Sequence, residues 1–340
     1  MYQSPWAIVI LSFFIALAIV LGICSLFEIH PGEVILALFE GAVKGKAFES
    51  TLEQIAPFCL ATLAAFVPLT VGFFNIGGEG QLWVGALAAV FVTLNYQGPP
   101  VLVIPLALLS AALAGVAAVI IPLILKLKLG GNTDVTATIM SNFICMFFVM
   151  AQYTGAMKDP TAFYGTTYSV PQMFRLPVIS LLGINVHVGI LFAIMLVIGI
   201  YLLIKYTVYG IQLRAIGFNR EFAATSGVSV NKVFISAVLG GAALAGLAGG
   251  LYVLGSFFRV GDGWSLGWGW SGLGIGLLTI GIGNALAIIP LAFGYAVVGT
   301  GAFYMQALLG LSGVFFYIVQ NLPVLVFLIL RAGLSLRKRS

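Results

Sequence analysis

The chain has 340 residues, of which 61% are hydrophobic and 7% charged. Soluble domains carry roughly 25% charged residues, so this composition excludes a surface covered by water and requires lipid as the solvent. The formal charge of +5 therefore takes its meaning from where the charges lie, and it implies no nucleic-acid partner.

A helix needs about 20 apolar residues to cross about 30 Å of hydrocarbon. About ten segments meet or approach that length: Pro5–Phe27, Ile55–Phe74, Leu82–Leu94, Val101–Leu125, Val135–Gln152, His187–Ile204, Val233–Phe257, Ser271–Leu286, Ile288–Leu309 and Val314–Leu330. The third and eighth are short or broken by glycine. The expected fold is an all-α integral membrane protein with glycine-broken helices and an inverted repeat, forming one transmembrane domain over 1–340. The first run has no basic segment before it and no small-residue cleavage site, so it reads as an uncleaved span. Cys24, Cys59 and Cys145 lie inside apolar runs without paired spacing, as small core residues do.

Ten spans place both termini on one side. Lys126, Lys128, Lys205, Arg214, Arg220, Lys232, Arg331, Arg337, Lys338 and Arg339 fall on that side. Lys44, Lys46, Lys158, Arg175 and Arg259 fall on the other, with most of the acids. The positive-inside rule then puts both termini in the cytoplasm of a plasma (inner) membrane. Of the connections, Glu28–Gln54 has the pattern of an amphipathic helix on the outer face. Tyr153–Val186 is outside, rich in aromatics and suited to an external partner, and Lys205–Asn231 is a polar inner loop. Trp264, Trp268 and Trp270 read first as interfacial anchors and second as part of an entrance.

The chain has no phosphate-binding Gly-x-x-x-x-Gly-Lys-[Ser/Thr] run. Its two histidines, His30 and His187, are far apart, so neither a catalytic triad nor a metal site is expected. Carboxylate pairs are missing from the middle of the spans, where ion-coupled transporters keep them. Energy for uphill transport would have to come from another subunit.

Three segments remain polar where the rest is apolar. In Phe74-Asn75-Ile76-Gly77-Gly78-Glu79-Gly80-Gln81 the glycines and amides interrupt the membrane. Asn75, Glu79 and Gln81 either border a substrate path at a broken helix or form an inner turn with Glu79 as its cap. In Asn132–Asn142, Asp134, Thr138 and Asn142 recur at four-residue spacing. That is one polar stripe, serving either helix packing or substrate contact. In Leu213–Val228, Asn219 caps a short helix that carries Glu221 in its first turn and ends at Gly227.

These three segments together resemble the permease subunits of binding-protein-dependent ABC importers, the family of ribose, branched-chain amino-acid and nucleoside permeases. The amide-rich Asn-Ile-Gly-Gly-Glu-Gly-Gln form is similar to the nucleoside-type (basic membrane protein-dependent) branch. Gly281-Ile282-Gly283-Asn284 resembles the family's Gly-x-Asn-Pro turn but lacks the proline. The resemblance implies a non-enzymatic permease that takes nucleosides from an external substrate-binding lipoprotein. It would pair with a second permease subunit, a heterodimer being favoured, and bind no cofactor itself, with ATP and Mg on a cytoplasmic ATPase. It also implies that Arg214, Gly217, Asn219, Glu221, Ala223, Ala224 and Gly227 couple to that ATPase, while Asn75, Glu79, Gln81, Thr138 and Asn142 border the path. The rivals are a permease for a simple sugar such as a pentose, a stand-alone secondary transporter or channel, and a membrane enzyme acting on lipid.

Overall fold

The computed structural model describes residues 4–181, 183–310 and 313–336. Arg337, Lys338 and Arg339 of the basic tail lie outside the described residues. Thirteen α-helices follow one another among the described residues, with one two-stranded hairpin between the sixth and seventh.

Helix α1 (Pro5–Leu26) starts on a proline, whose missing N–H is no loss in the first turn. Helix α2 (Pro31–Val43) lies within the Glu28–Gln54 connection and packs on α12 (Ile288–Leu309), with apolar residues on both of its faces. It buries Val34, Ala37, Gly41 and Ala42 and leaves Ile35, Leu36 and Phe39 exposed. Helix α3 (Lys46–Leu69) begins nine residues before the apolar run does, because Lys46, Glu49 and Glu53 occupy its first two turns. It ends just after Pro68, and residues 70–77 run without helix into α4 (Gly78–Asn95). Then come α5 (Pro100–Leu129), α6 (Thr133–Thr154), α7 (Gly189–Tyr206), α8 (Val208–Phe218) and α9 (Arg220–Thr225). The chain closes with α10 (Val230–Tyr252), α11 (Trp268–Ile282), α12 (Ile288–Leu309) and α13 (Gly313–Leu336). A π-helical turn, Val253–Phe257, extends α10.

Eight of these helices are long and apolar enough to cross a membrane: α1, α3, α5, α6, α7, α10 with its π turn, α12 and α13. The other two expected spans correspond to α4, of 18 residues, and α11, of 15. These are the two that the glycines shorten.

Helices α3 and α10 form the centre. Helix α10 packs on α3, α4 and α5, α11 and α12 pack on α3, and α1 packs on α13 at the rim. Small residues allow this: Gly241 of α10 meets Pro68 of α3, Gly246 meets the backbone of Ala111 in α5, and Gly249 meets Leu82 in α4. Lipid tails are as apolar as leucine, so close backbone approach, not hydrophobicity, must hold such helices together.

The loop between α6 and α7 is more ordered than a plain connection. Strands β1 (Val178–Leu181) and β2 (Ile184–His187) pair antiparallel. Upstream, Thr167, Val170 and Leu176 donate backbone hydrogen bonds to Val260, Phe258 and Leu254. Asn185 donates to the Glu49 carboxylate from its backbone N (2.8 Å) and from Nδ2 (3.1 Å), tying the hairpin to the start of α3. His187 packs against Gly189 and Gly255, and burial pushes its imidazole pKa down to about 4.

The tryptophans correct the sequence-based expectation. Trp264 and Trp268 are fully buried and stand edge-to-face at 6.1 Å, with Tyr252 4.3 Å from Trp268. Only Trp270 keeps an exposed face, so the first two cannot anchor the chain in lipid headgroups.

Candidate functional site

The gap between α3 and α4 lies inside the bundle. Gly80 rests against Asn142, nine residues into α6, which places it about 13 Å from the start of that helix. Helix α11 also starts inside. Its Gly272 sits on Ala61 and its Gly276 on Ala65 of α3, so Trp268 lies level with Pro57, roughly 17 Å in from Lys46. The two N-termini meet where Gly269 lies against the backbone of Glu79, and a Cβ at position 269 would collide with it.

Glu79 occupies this junction at 2% exposure. Its Oε1 accepts from Trp83 Nε1 at 2.9 Å and from the Ser265 hydroxyl, and its Oε2 accepts from the Gly269 backbone N at 2.6 Å. Two helix N-termini therefore converge on one carboxylate, and the positive end of each dipole favours an anion there.

The other four residues proposed for the path belong to the same assembly. Asn75 and Gln81 exchange side-chain hydrogen bonds at 2.9 and 3.1 Å, and Asn75 Oδ1 also accepts from Gly77 N. The polar stripe of α6 takes up the backbone of the break. Asp134 accepts from Phe74 N (2.9 Å), Thr138 Oγ1 from Ile76 N (3.2 Å) and Asn142 Oδ1 from Gly80 N (2.5 Å). Lys126 closes the end of this assembly at the start of α6 with a 2.8 Å ion pair to Asp134. Asn75, Glu79, Gln81, Thr138 and Asn142 are thus brought together, all buried, bracing a non-helical segment that lipid could not satisfy.

The coupling candidates form a second group at the end of the bundle where α3 finishes. Gly217 of α8 fits against the Thr70 carbonyl, a spot a side chain would fill. Arg214 donates to the Ile204 carbonyl at 2.6 Å. Asn219 Oδ1 caps α9 by accepting from Phe222 N (3.0 Å). Gly227, at φ +83°, turns the chain so that Val228 N reaches the Ala223 carbonyl (3.0 Å). Ala223 faces inward and is fully buried, whereas Glu221 and Ala224 are exposed and line a cleft of about 700 Å³ with Arg220, Asn231 and Lys232.

Several partners had no local signal. Ser265 and Gly269 lie 186 and 190 positions from Glu79. Phe218 at the end of α8 and Phe222 within the capped helix α9 are exposed by 91% and 66%. Their presence in the most polar stretch of the chain was the available clue.

The architecture is that of a polytopic transport subunit. Residues 47–328 match the family described as branched-chain amino acid transport system / permease component, and the chain belongs to that family. It is 34% identical over 231 residues to the guanosine ABC transporter permease of Bacillus subtilis, covering 67% of this chain and 66% of that one. The glucose ABC transporter permease of Haloferax volcanii is 30% identical, with 82% of this chain and 74% of that one covered. The nucleoside ABC transporter permease of Lactococcus lactis is 29% identical, covering 76% and 72%. No solved structure matches the chain. As an ABC-type importer permease, it is a membrane subunit without enzymatic activity, and ATP hydrolysis belongs to a separate ATPase.

Proposed function

We propose that this permease imports nucleosides. The carrying observation is the amide-rich junction Asn75–Gln81, together with similarity to permeases named for guanosine and nucleoside transport. In this reading an external binding protein docks on the α6–α7 loop, where Phe163, Tyr164 and Tyr168 are exposed. The capped pair α8–α9 faces the cytoplasm, and Phe218, Phe222 and the Ala224 cleft receive the ATPase, which holds ATP and Mg. A second permease subunit, different in sequence, completes the path. The junction at Glu79 borders that path, because shifting α4 against α11 there changes the packing at mid-bundle.

The test is uptake of radiolabelled guanosine, uridine, glucose and ribose by cells carrying the whole importer, with and without this chain. Chain-dependent nucleoside uptake that the sugars do not compete is the expected result. Chain-dependent uptake of glucose or ribose alone would favour the second reading, a simple-sugar importer, which the Haloferax relative supports.

A further inference from the structure

At the opposite end of α3 from Gly217 lies a chamber of about 340 Å³, walled by α2, α3, the π turn, the 263–266 segment and α12. Its faces are aromatic. Tyr252 and Phe257 stack at 6.2 Å with planes 22° apart, Trp264 stands 6.3 Å from Tyr252, and Tyr304 also lines the wall. No Asp, Glu, Lys or Arg is among its described lining residues.

Two of the lining side chains hold buried polar atoms that nothing among the described residues satisfies. Gln54 is 6% exposed. Its Nε2 donates to Thr300 Oγ1 (3.0 Å), while its Oε1 has no partner. Trp264 is 1% exposed, and its Nε1 has none either. Behind them both amide atoms of the buried Gln320 are unspent, next to Gly299. Buried polar groups are ordinarily paired, and leaving one unpaired costs stability. An unspent acceptor and an unspent donor in an aromatic wall define a complementary ligand. It is a flat, uncharged ring with a donor and an acceptor along its edge.

We propose that this chamber receives the base of the nucleoside before translocation. The inference rests on the nucleoside reading above and assigns that substrate's first contact with this chain. Bases stack on aromatic side chains and are read by hydrogen bonds along their edges. The volume lies at the low end of ligand pockets, matching a single base rather than a large solute. The chamber also communicates with the broken-helix junction. Trp264 lies 5.6 Å from Trp83, whose indole N–H donates to Glu79, and Ser265 donates to the same carboxylate. A base entering between Gln54 and Trp264 would therefore press on the elements that hold α4 against α11.

The whole importer in proteoliposomes is photolabelled with radiolabelled 8-azidoguanosine, and guanosine uptake is measured on the same preparation. Label mapped to the segments 252–264 or 303–304, competed by guanosine and not by ribose, is the expected result. Gln54→Leu and Trp264→Phe should each raise the guanosine concentration for half-maximal uptake about tenfold, at unchanged ATPase association. Label confined to other segments, competition by ribose, or unaltered uptake in both variants would overturn the assignment. If either variant fails to assemble, the wild-type label map decides alone. Absence of guanosine uptake by the wild-type importer would instead sink the nucleoside reading, a result separable from failure of the chamber.

Discussion

At the scale of single residues, the decisive group is Glu79. A carboxylate can only accept, and the three groups around it, Trp83 Nε1, Ser265 Oγ and Gly269 N, all donate. Replacing it with glutamine sets an –NH2 against at least one of these donors. Glu79→Gln is expected to weaken the junction by roughly 1–3 kcal/mol and to lower transport with insertion intact. Thermal unfolding of the purified permease, read beside uptake, checks this, and normal values of both would show the charge to be dispensable. Asn75, Gln81, Thr138 and Asn142 were legible as a polar set because such residues are costly in lipid unless partnered. Their mutual pairing was not, because nothing in the order of the residues says that Asn142 will meet Gly80 across 62 positions. The tryptophans misled for a related reason. Position near a span end suggests an interface, but Trp264 and Trp268 follow a π turn that folds the chain back into the bundle.

At the scale of elements, the capped helix α9 separates two alanines that sequence alone treats as a pair. Ala223 is inside the chain's own packing, and Ala224 is outside, beside the cleft. Successive positions on a helix are turned by about 100°, and a helix of six residues is too short for its buried face to be read from sequence. Ala223→Arg would force a charge among buried side chains and disrupt the segment itself, which says nothing about docking. The informative variants are Ala224→Arg and Phe222→Ala. Each is expected to reduce co-purification of the ATPase, Phe222→Ala by about 2 kcal/mol if it acts as an aromatic anchor, with the permease still inserted. Wild-type association in both would remove α8–α9 from the coupling role. The start of α3 was misplaced for another reason. Hydropathy finds the apolar run at Ile55, but the helix begins at Lys46, where Thr51 Oγ1 donates to the Ala42 carbonyl (2.8 Å) and fastens α3 to α2.

At the scale of the whole molecule, the all-helical fold was legible because lipid leaves few alternatives to helices. The two ends of the bundle are now distinguishable by contact as well as by charge. One end gathers Thr70, Lys126, Asp134, Gly217 and Arg331, the last of these beside Gly281. The other gathers Glu49 with Asn185, Tyr153 with Asp262 (2.7 Å), and Arg175 over Phe258. Helix α3, at 24 residues, joins them over about 36 Å. The basic residues concentrate at the first end, so that end is expected in the cytoplasm. Two single cysteines test it: Phe163→Cys in the hairpin-side loop and Asn132→Cys in the turn before α6, both exposed positions. Cys24 and Cys59 are buried, and replacing Cys145 with serine removes the remaining partly exposed thiol. In intact cells a membrane-impermeant maleimide should label Phe163→Cys and leave Asn132→Cys unlabelled until the membrane is permeabilised. The reverse pattern would invert the molecule, placing the chamber in the cytoplasm and the capped helix outside. No ATPase could then reach α9, and the import direction assigned here would fall with it.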